Sequence, residues 1–112
     1  MAITGKSLAD GQLANVKATL YTCPASTIAH VTGILLANTS SATGYTFNVY
    51  IKRSGSTSRR IVGKDKTMNA SDDYATPVSG QAVRLSAGDI IEGDASVANV
   101  IDYTICGGTE GA

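Results

Sequence analysis

The stretch Leu85-Ser86-Ala87-Gly88-Asp89-Ile90-Ile91-Glu92-Gly93-Asp94-Ala95-Ser96-Val97-Ala98-Asn99-Val100-Ile101-Asp102-Tyr103-Thr104-Ile105 alternates β-branched runs with turn residues and holds almost no reactive chemistry. Ala87-Gly88-Asp89 places a glycine where a tight turn needs a positive φ. Residues 94–99 then gather small and polar side chains before Val100 and Ile101 resume the apolar run. Strands this short and this closely punctuated predict a small β-sandwich with a structural role.

The rest of the chain reads the same way. In residues 16–22, Val16, Ala18 and Leu20 alternate with Lys17, Thr19 and Tyr21, and Pro24 ends the strand. Residues 28–38 form a more continuously apolar strand expected to lie centrally, with Gly33 marking a bulge or a close neighbour. After a Ser/Thr/Gly turn, Tyr45, Phe47, Val49 and Ile51 alternate with Thr46, Asn48, Tyr50 and Lys52, which is the cleanest half-buried strand of the sequence. A polar loop at 54–58 makes a hairpin with a strand at 59–62. Residues 65–79, carrying Asn69, Asp72, Asp73 and Pro77, read as a long exposed loop. Strands at 81–85, 89–93 and 100–106 bring the total to seven or eight. No capped window shows apolar residues at helical spacing, and no repeat of 20 to 50 residues is present. The expected class is all-β: a single antiparallel β-sandwich, jelly-roll-like, with residues 1–14 as a polar amino-terminal arm, 15–108 as the sandwich domain and 109–112 as a short tail.

Composition agrees with a thin sandwich. At 112 residues the chain makes one domain that buries about two-thirds of its unfolded surface. With five Tyr, one Phe and no Trp, the interior must be filled mainly by Val, Ile, Leu and Ala. Charged residues are 16%, against about 25% in an average soluble domain. A surface so weakly charged and so rich in Ser and Thr is of the kind that other subunits cover. No run of 18 apolar residues exists, so no membrane span is expected, and residues 1–10 lack the apolar core of an export signal. Asn38-Thr39-Ser40 and Asn69-Ala70-Ser71 match the glycosylation pattern but read as turn residues.

Catalytic chemistry has little to work with. The lone histidine, His30, sits within a predicted strand and reads as structural. Cys23 and Cys106 have no metal-ligand spacing, and no phosphate-binding loop or nucleophile elbow occurs. Asp72 and Asp73 are neighbours on an extended chain and point to opposite sides. The reading is therefore of no catalytic residue, no metal and no cofactor. The two cysteines end predicted strands near the two extremes of the chain. They are either two separate buried thiols, the default in a reducing compartment, or a disulfide whose long loop would constrain the unfolded chain by about 4 kcal/mol.

Net charge is zero but unevenly spread. Residues 52–66 hold six basic side chains against Asp65, a balance of +5, while residues 72–112 hold seven acidic side chains against Arg84, a balance of −6. Such complementary patches favour like molecules packing side by side, or docking to a charged surface. Lys52, Arg53, Arg59 and Arg60 are thus candidate partner contacts; alternatively they protect a hairpin edge from stray pairing. Nucleic acid is not the expected partner, because this basic stretch lacks an aromatic stacking platform.

Four segments carry a resemblance: Leu20-Tyr21-Thr22-Cys23-Pro24-Ala25, Ile34-Leu35-Leu36-Ala37-Asn38-Thr39-Ser40, Leu85-Ser86-Ala87-Gly88-Asp89 and Gly93-Asp94-Ala95-Ser96, with Thr104-Ile105-Cys106-Gly107 as a closing strand. Over residues 18–107 the chain resembles small β-sandwich virion proteins of tailed bacteriophages. The resemblance implies a non-enzymatic particle component located in the virion and assembled in the host cytoplasm. Its expected form is a homo-oligomer, a trimer foremost, bound to the major capsid protein or to other virion proteins. A capsid decoration (cement) protein fits best, because the chain is a single module with a polar arm; a neck, tail or fibre component is the alternative. No functional residue carries over from the resemblance. A reading of another class is a carbohydrate- or surface-binding sandwich in which Tyr21, Tyr50 or Tyr74 stacks on a sugar.

Overall fold

Side chains that alternate between apolar and polar can bury one face only by pairing strands into sheets and stacking two such sheets. The computed structural model, which describes residues 4–75 and 83–111, builds ten strands in this way. They are β1 (Thr4–Gln12), β2 (Ala18–Thr22), β3 (Thr27–Asn38), β4 (Tyr45–Lys52), β5 (Arg59–Arg60), β6 (Lys66–Met68), β7 (Asp73–Ala75), β8 (Val83–Leu85), β9 (Ile90–Ala95) and β10 (Ile101–Gly111). One sheet runs β1-β10-β3, with β7 and β8 pairing different stretches of β3. The other runs β2-β9-β4, with β5 and β6 sharing β4 in the same manner. Every pairing is antiparallel.

Counting β5 with β6 and β7 with β8 as two interrupted strands leaves eight positions. The first strand then pairs the last, the second pairs the last but one, and each sheet takes alternate arms of the folded-over chain. This is the winding of a jelly roll.

The core lies between the sheets. Phe47 and Val49 of β4 are fully buried and Ile51 nearly so, facing Val31, Ile34 and Leu36 of β3 and Ile101 and Ile105 of β10. The alternation of residues 45–51 thus has the predicted parity. Tyr74 lays its ring against Phe47 with centroids 5.3 Å apart.

Three expectations are revised. Residues 4–12 of the expected arm form an edge strand, in register with β10 from Thr4 opposite Thr109 to Gln12 opposite Asp102. Leu8 and Ala9 supply enough apolar contact to seat this strand on the core, while Ser7, Asp10 and Gln12 stay exposed. The expected tail is likewise strand through Gly111, which pairs with Thr27. The expected loop at 65–79 contains β6 and β7, joined by a turn in which the Asp72 amide donates to the Asn69 carbonyl at 3.1 Å. Pro77, Gly80 and Gln81 lie outside the described residues.

Gly33 does sit beside a bulge: the β3–β10 register shifts so that Thr32 is left over between Gly33 and Val31. The crowding, however, is across the ladder. A Cβ on Gly107 would fall on the His30 carbonyl oxygen, whereas one on Gly33 would meet nothing within 4 Å.

Two side-chain knots fix the ends of the sandwich. Where β3 leads to β4, the buried Asn38 amide donates to the carbonyls of Thr43, Met68 and Asn69 at 2.9, 3.4 and 3.1 Å, and its oxygen accepts from the Ser40 amide at 3.0 Å. That occupies the side chain fully, as a turn role requires. At the opposite end, Gly88 (φ 86°) closes the turn that the sequence predicts, with the Asp89 amide donating to the Ser86 carbonyl at 3.0 Å.

Candidate functional site

The turn preceding β9 is built around Asp89, whose carboxylate is almost fully buried. It accepts from the amides of Ser54 and Ser86 at 2.9 and 3.0 Å and from Arg53 Nη1 at 3.0 Å. Burial pushes its pKa up, but the two amides and the guanidinium together outweigh burial and hold the carboxyl below its usual range. Arg53 also donates to the Arg84 carbonyl. One of the four candidate partner contacts is therefore tied into the fold, clamping the β4–β5 loop to the β8–β9 turn.

Arg60 is tied as well. On the outer face of the β2-β9-β4 sheet, Asn48 and Tyr50 are buried although they point away from the core. Asn48 Nδ2 donates to Asp94 Oδ1 at 2.8 Å and to Asp65 Oδ1 at 3.1 Å, and its oxygen accepts from Arg60 and from the Asp65 amide. Tyr50 donates its hydroxyl to Asp94 at 3.2 Å, and its ring carries Lys17 Nζ at 4.5 Å and the Arg60 guanidinium at 4.9 Å from the centroid. Burial first, and Asp94 second, push the Tyr50 hydroxyl pKa up. No buried side-chain nitrogen or oxygen among the described residues lacks a partner, which suits a brace across β4, β5 and β9. Lys52 and Arg59, the other two candidates, are exposed and have no ion pair or side-chain hydrogen bond among the described residues.

The three candidate tyrosines differ in how much ring they leave open, Tyr50 being buried and Tyr21 and Tyr74 half-buried. Tyr50 is covered by its two cations, Tyr74 leans on Phe47, and Tyr21 packs partly against the core.

The outer face of the β1-β10-β3 sheet is different. Its rows, read from the register, are Gln12, Asp102, Ala37 and Asp73, then Asp10, Thr104, Leu35 and Ala75, then Ser7, Cys106 and Gly33. The side chains are short, and Leu35 stands 49% exposed in a shallow depression among Ala37, Asp73, Tyr74, Ala75 and Asp102. Toward the other end of this face, His30 Nε2 lies 3.0 Å from Glu110 Oε1, and the bond from His30 holds the Glu110 carboxyl below its usual range.

Cys23 and Cys106 are both free. Cys23 is buried at the end of β2, its thiol directed at the carbonyls of Thr27 and Leu85 at 3.4 and 3.6 Å. Burial first, and Asp89 beside it, push that thiol up. Cys106 lies on the opposite sheet, in the row of Gly33 and Ser7 that faces outward, so no bridge forms. The described residues hold no group of three or more His, Cys, Asp or Glu placed to share a metal ion, and no helix long and apolar enough to cross a membrane.

The basic hairpin is visible in the sequence, but not that Asp89 ties down Arg53 and Asn48 ties down Arg60. Only Asp89 left a signal, as an acidic side chain directly after a turn glycine.

No protein-family model matches the chain, and no curated protein matches it by sequence. Solved structures do. A chain of the infectious bursal disease virus Gx strain structure aligns over 96% of this chain with a TM-score of 0.52 at 15% identity, and this chain spans 32% of it. Two crystal structures of a pentameric capsid protein from metagenomic phage sequences align over 92% of the chain at 17% and 16% identity, with TM-scores of 0.38 and 0.40; the chain spans 61% and 59% of them. At this identity the likeness to the first is one of fold.

Proposed function

We propose that this chain is a non-enzymatic structural protein of a bacteriophage virion, and within that class a capsid decoration (cement) protein. It would sit on the outer shell against the major capsid protein as a homo-oligomer, a trimer being the expected copy number. The observation that carries this reading is the jelly-roll sandwich, matched over 96% of the chain in the structure of a virus. The fold alone does not assign a role, since jelly rolls also serve lectins and other proteins. Three features of the chain support the choice: its phage-like sequence segments, polar clusters spent on internal bracing, and a flat face of short side chains suited to contact with another protein. A carbohydrate-binding sandwich, the reading of another class, is left with Tyr21 and Tyr74, since Tyr50 is buried.

Antibody labelling of purified particles in the electron microscope tests the proposal. Label spread over the shell faces supports decoration. Label confined to one vertex or to the tail replaces it with a neck, tail or fibre role, and absence of the chain from purified particles overturns the virion reading.

A further inference from the structure

We propose that the outer face of the β1-β10-β3-β7 sheet docks a second copy of this chain, and that the part of the copy it receives is the basic corner where β4 ends and β5 begins. This goes beyond the virion reading and stands without it.

The face offers an aliphatic side chain in a shallow depression with a rim of one sign. Leu35 is exposed among Ala37, Ala75 and Thr104, and Asp10, Asp73 and Asp102 stand in the same two rows. None of the three carboxylates has a cation bonded to it among the described residues; Asp102 accepts only from Gln12 Nε2, at 3.0 Å. The corner offers the complement. Lys52 and Arg59 are exposed and without an ion pair among the described residues, and Ile90, the register partner of Lys52, adds a half-buried aliphatic beside Lys52.

The two sets cannot neutralise each other within one chain. The acidic rim lies at the β3–β4 end on one sheet, level with Ala37, and the basic corner lies at the other end of the second sheet, level with Ile90. Seven residues of β4 separate the two levels, about 23 Å at 3.3 Å per residue, and stacked sheets add about 10 Å. Both spans exceed the screening length of about 8 Å at physiological salt. With Lys52 and Arg59 at one corner and Asp10, Asp73 and Asp102 at the diagonal one, a chain of zero net charge offers another copy of itself two complementary patches, one corner to one face. Such a contact is heterologous, so it builds a ring or a row.

Analytical ultracentrifugation of the full chain and two charge-reversed variants tests this. Lys52→Glu with Arg59→Glu makes corner and face both acidic. Asp73→Lys with Asp102→Lys makes both basic. All four residues are exposed, and circular dichroism checks that the fold is kept. The native chain is expected to associate at about 0.1 M salt and to dissociate at about 1 M, where screening lengths are about 10 and 3 Å. Each variant alone is expected to associate at least about tenfold more weakly. The fourfold variant, which restores zero net charge with the signs exchanged, is expected to regain association. A native chain that stays monomeric at both salt concentrations overturns the proposal, even if the variants lose retention on particles, because the occupant would then be a shell protein. A fourfold variant as weak as either parent overturns it as well.

Discussion

Phe47 and Asp89 represent the two ways in which single residues hold this molecule. Phe47 has no exposed surface and carries the ring of Tyr74, so Phe47→Ala empties the centre of the core and is expected to cost about 3–5 kcal/mol in denaturant unfolding. A loss below about 1 kcal/mol would mean that the pocket collapses around the smaller side chain. Asp89 works by charge. Its folded pKa lies below the value of about 3.9 in an unfolded chain, so the bonds from Ser54, Ser86 and Arg53 favour the folded state fully above that value. The contribution fades as pH falls through the lower, folded value. Asp89→Asn, which keeps the shape but not the charge, is expected to cost about 1–3 kcal/mol at neutral pH. The gap between native and variant should close as pH is lowered below about 4 in a series of thermal melts. A gap that does not change with pH would show that geometry, not ionisation, holds the turn.

At the level of elements, the β3–β10 ladder is the spine of one sheet, and its bulge depends on one glycine. Gly107→Ala would press a methyl group onto the His30 carbonyl, so it is expected to destabilise by about 1–3 kcal/mol or more. Gly33→Ala meets open space and should stay within about 1 kcal/mol of the native chain. Equal losses for the two, measured by urea titration, would contradict the close approach at Gly107. The two glycines also mark what the sequence could express. Strong alternation, as in Tyr45 to Ile51, is visible because one strand alone reports which face is buried. Gly33 drew attention because it interrupts an apolar run, whereas the demanding glycine lies in Cys106-Gly107-Gly108, where nothing local reveals a carbonyl from a strand more than seventy residues earlier. Strands of two or three residues, such as β5, β6 and β7, are too short for a period to register and exist only because β3 and β4 present open edges. The candidate contacts divide in the same way. The basic run at 52–60 was legible as charge, but the pairing of Arg53 with Asp89 and of Arg60 with Asn48 depends on tertiary proximity.

For the whole molecule, the nested winding makes the first strand and the last interdependent. β1 covers one side of β10 along nearly its whole length, and β10 contributes the fully buried Ile101 and Ile105 to the core. A polar amino-terminal segment that served only as an attachment arm could be removed without harm to the sandwich. One that is an edge strand could not, because its loss exposes the ladder edge of β10, uncovers the core beneath Leu8 and Ala9, and frees Leu13, whose amide donates to the Ile101 carbonyl at 2.9 Å. Deleting residues 2–12 is therefore expected to remove a large part of the roughly 5–15 kcal/mol that holds a domain of this kind folded. The thermal transition should fall steeply or lose its cooperativity. Amide hydrogen exchange localises the effect: protection should collapse first along β10 and the facing stretch of β3, while the β4–β9 pairing on the other sheet keeps more of its protection. A truncated chain that melts at the native temperature, with β10 still protected, would return these residues to the role of a free arm and leave β10 as the natural edge of its sheet.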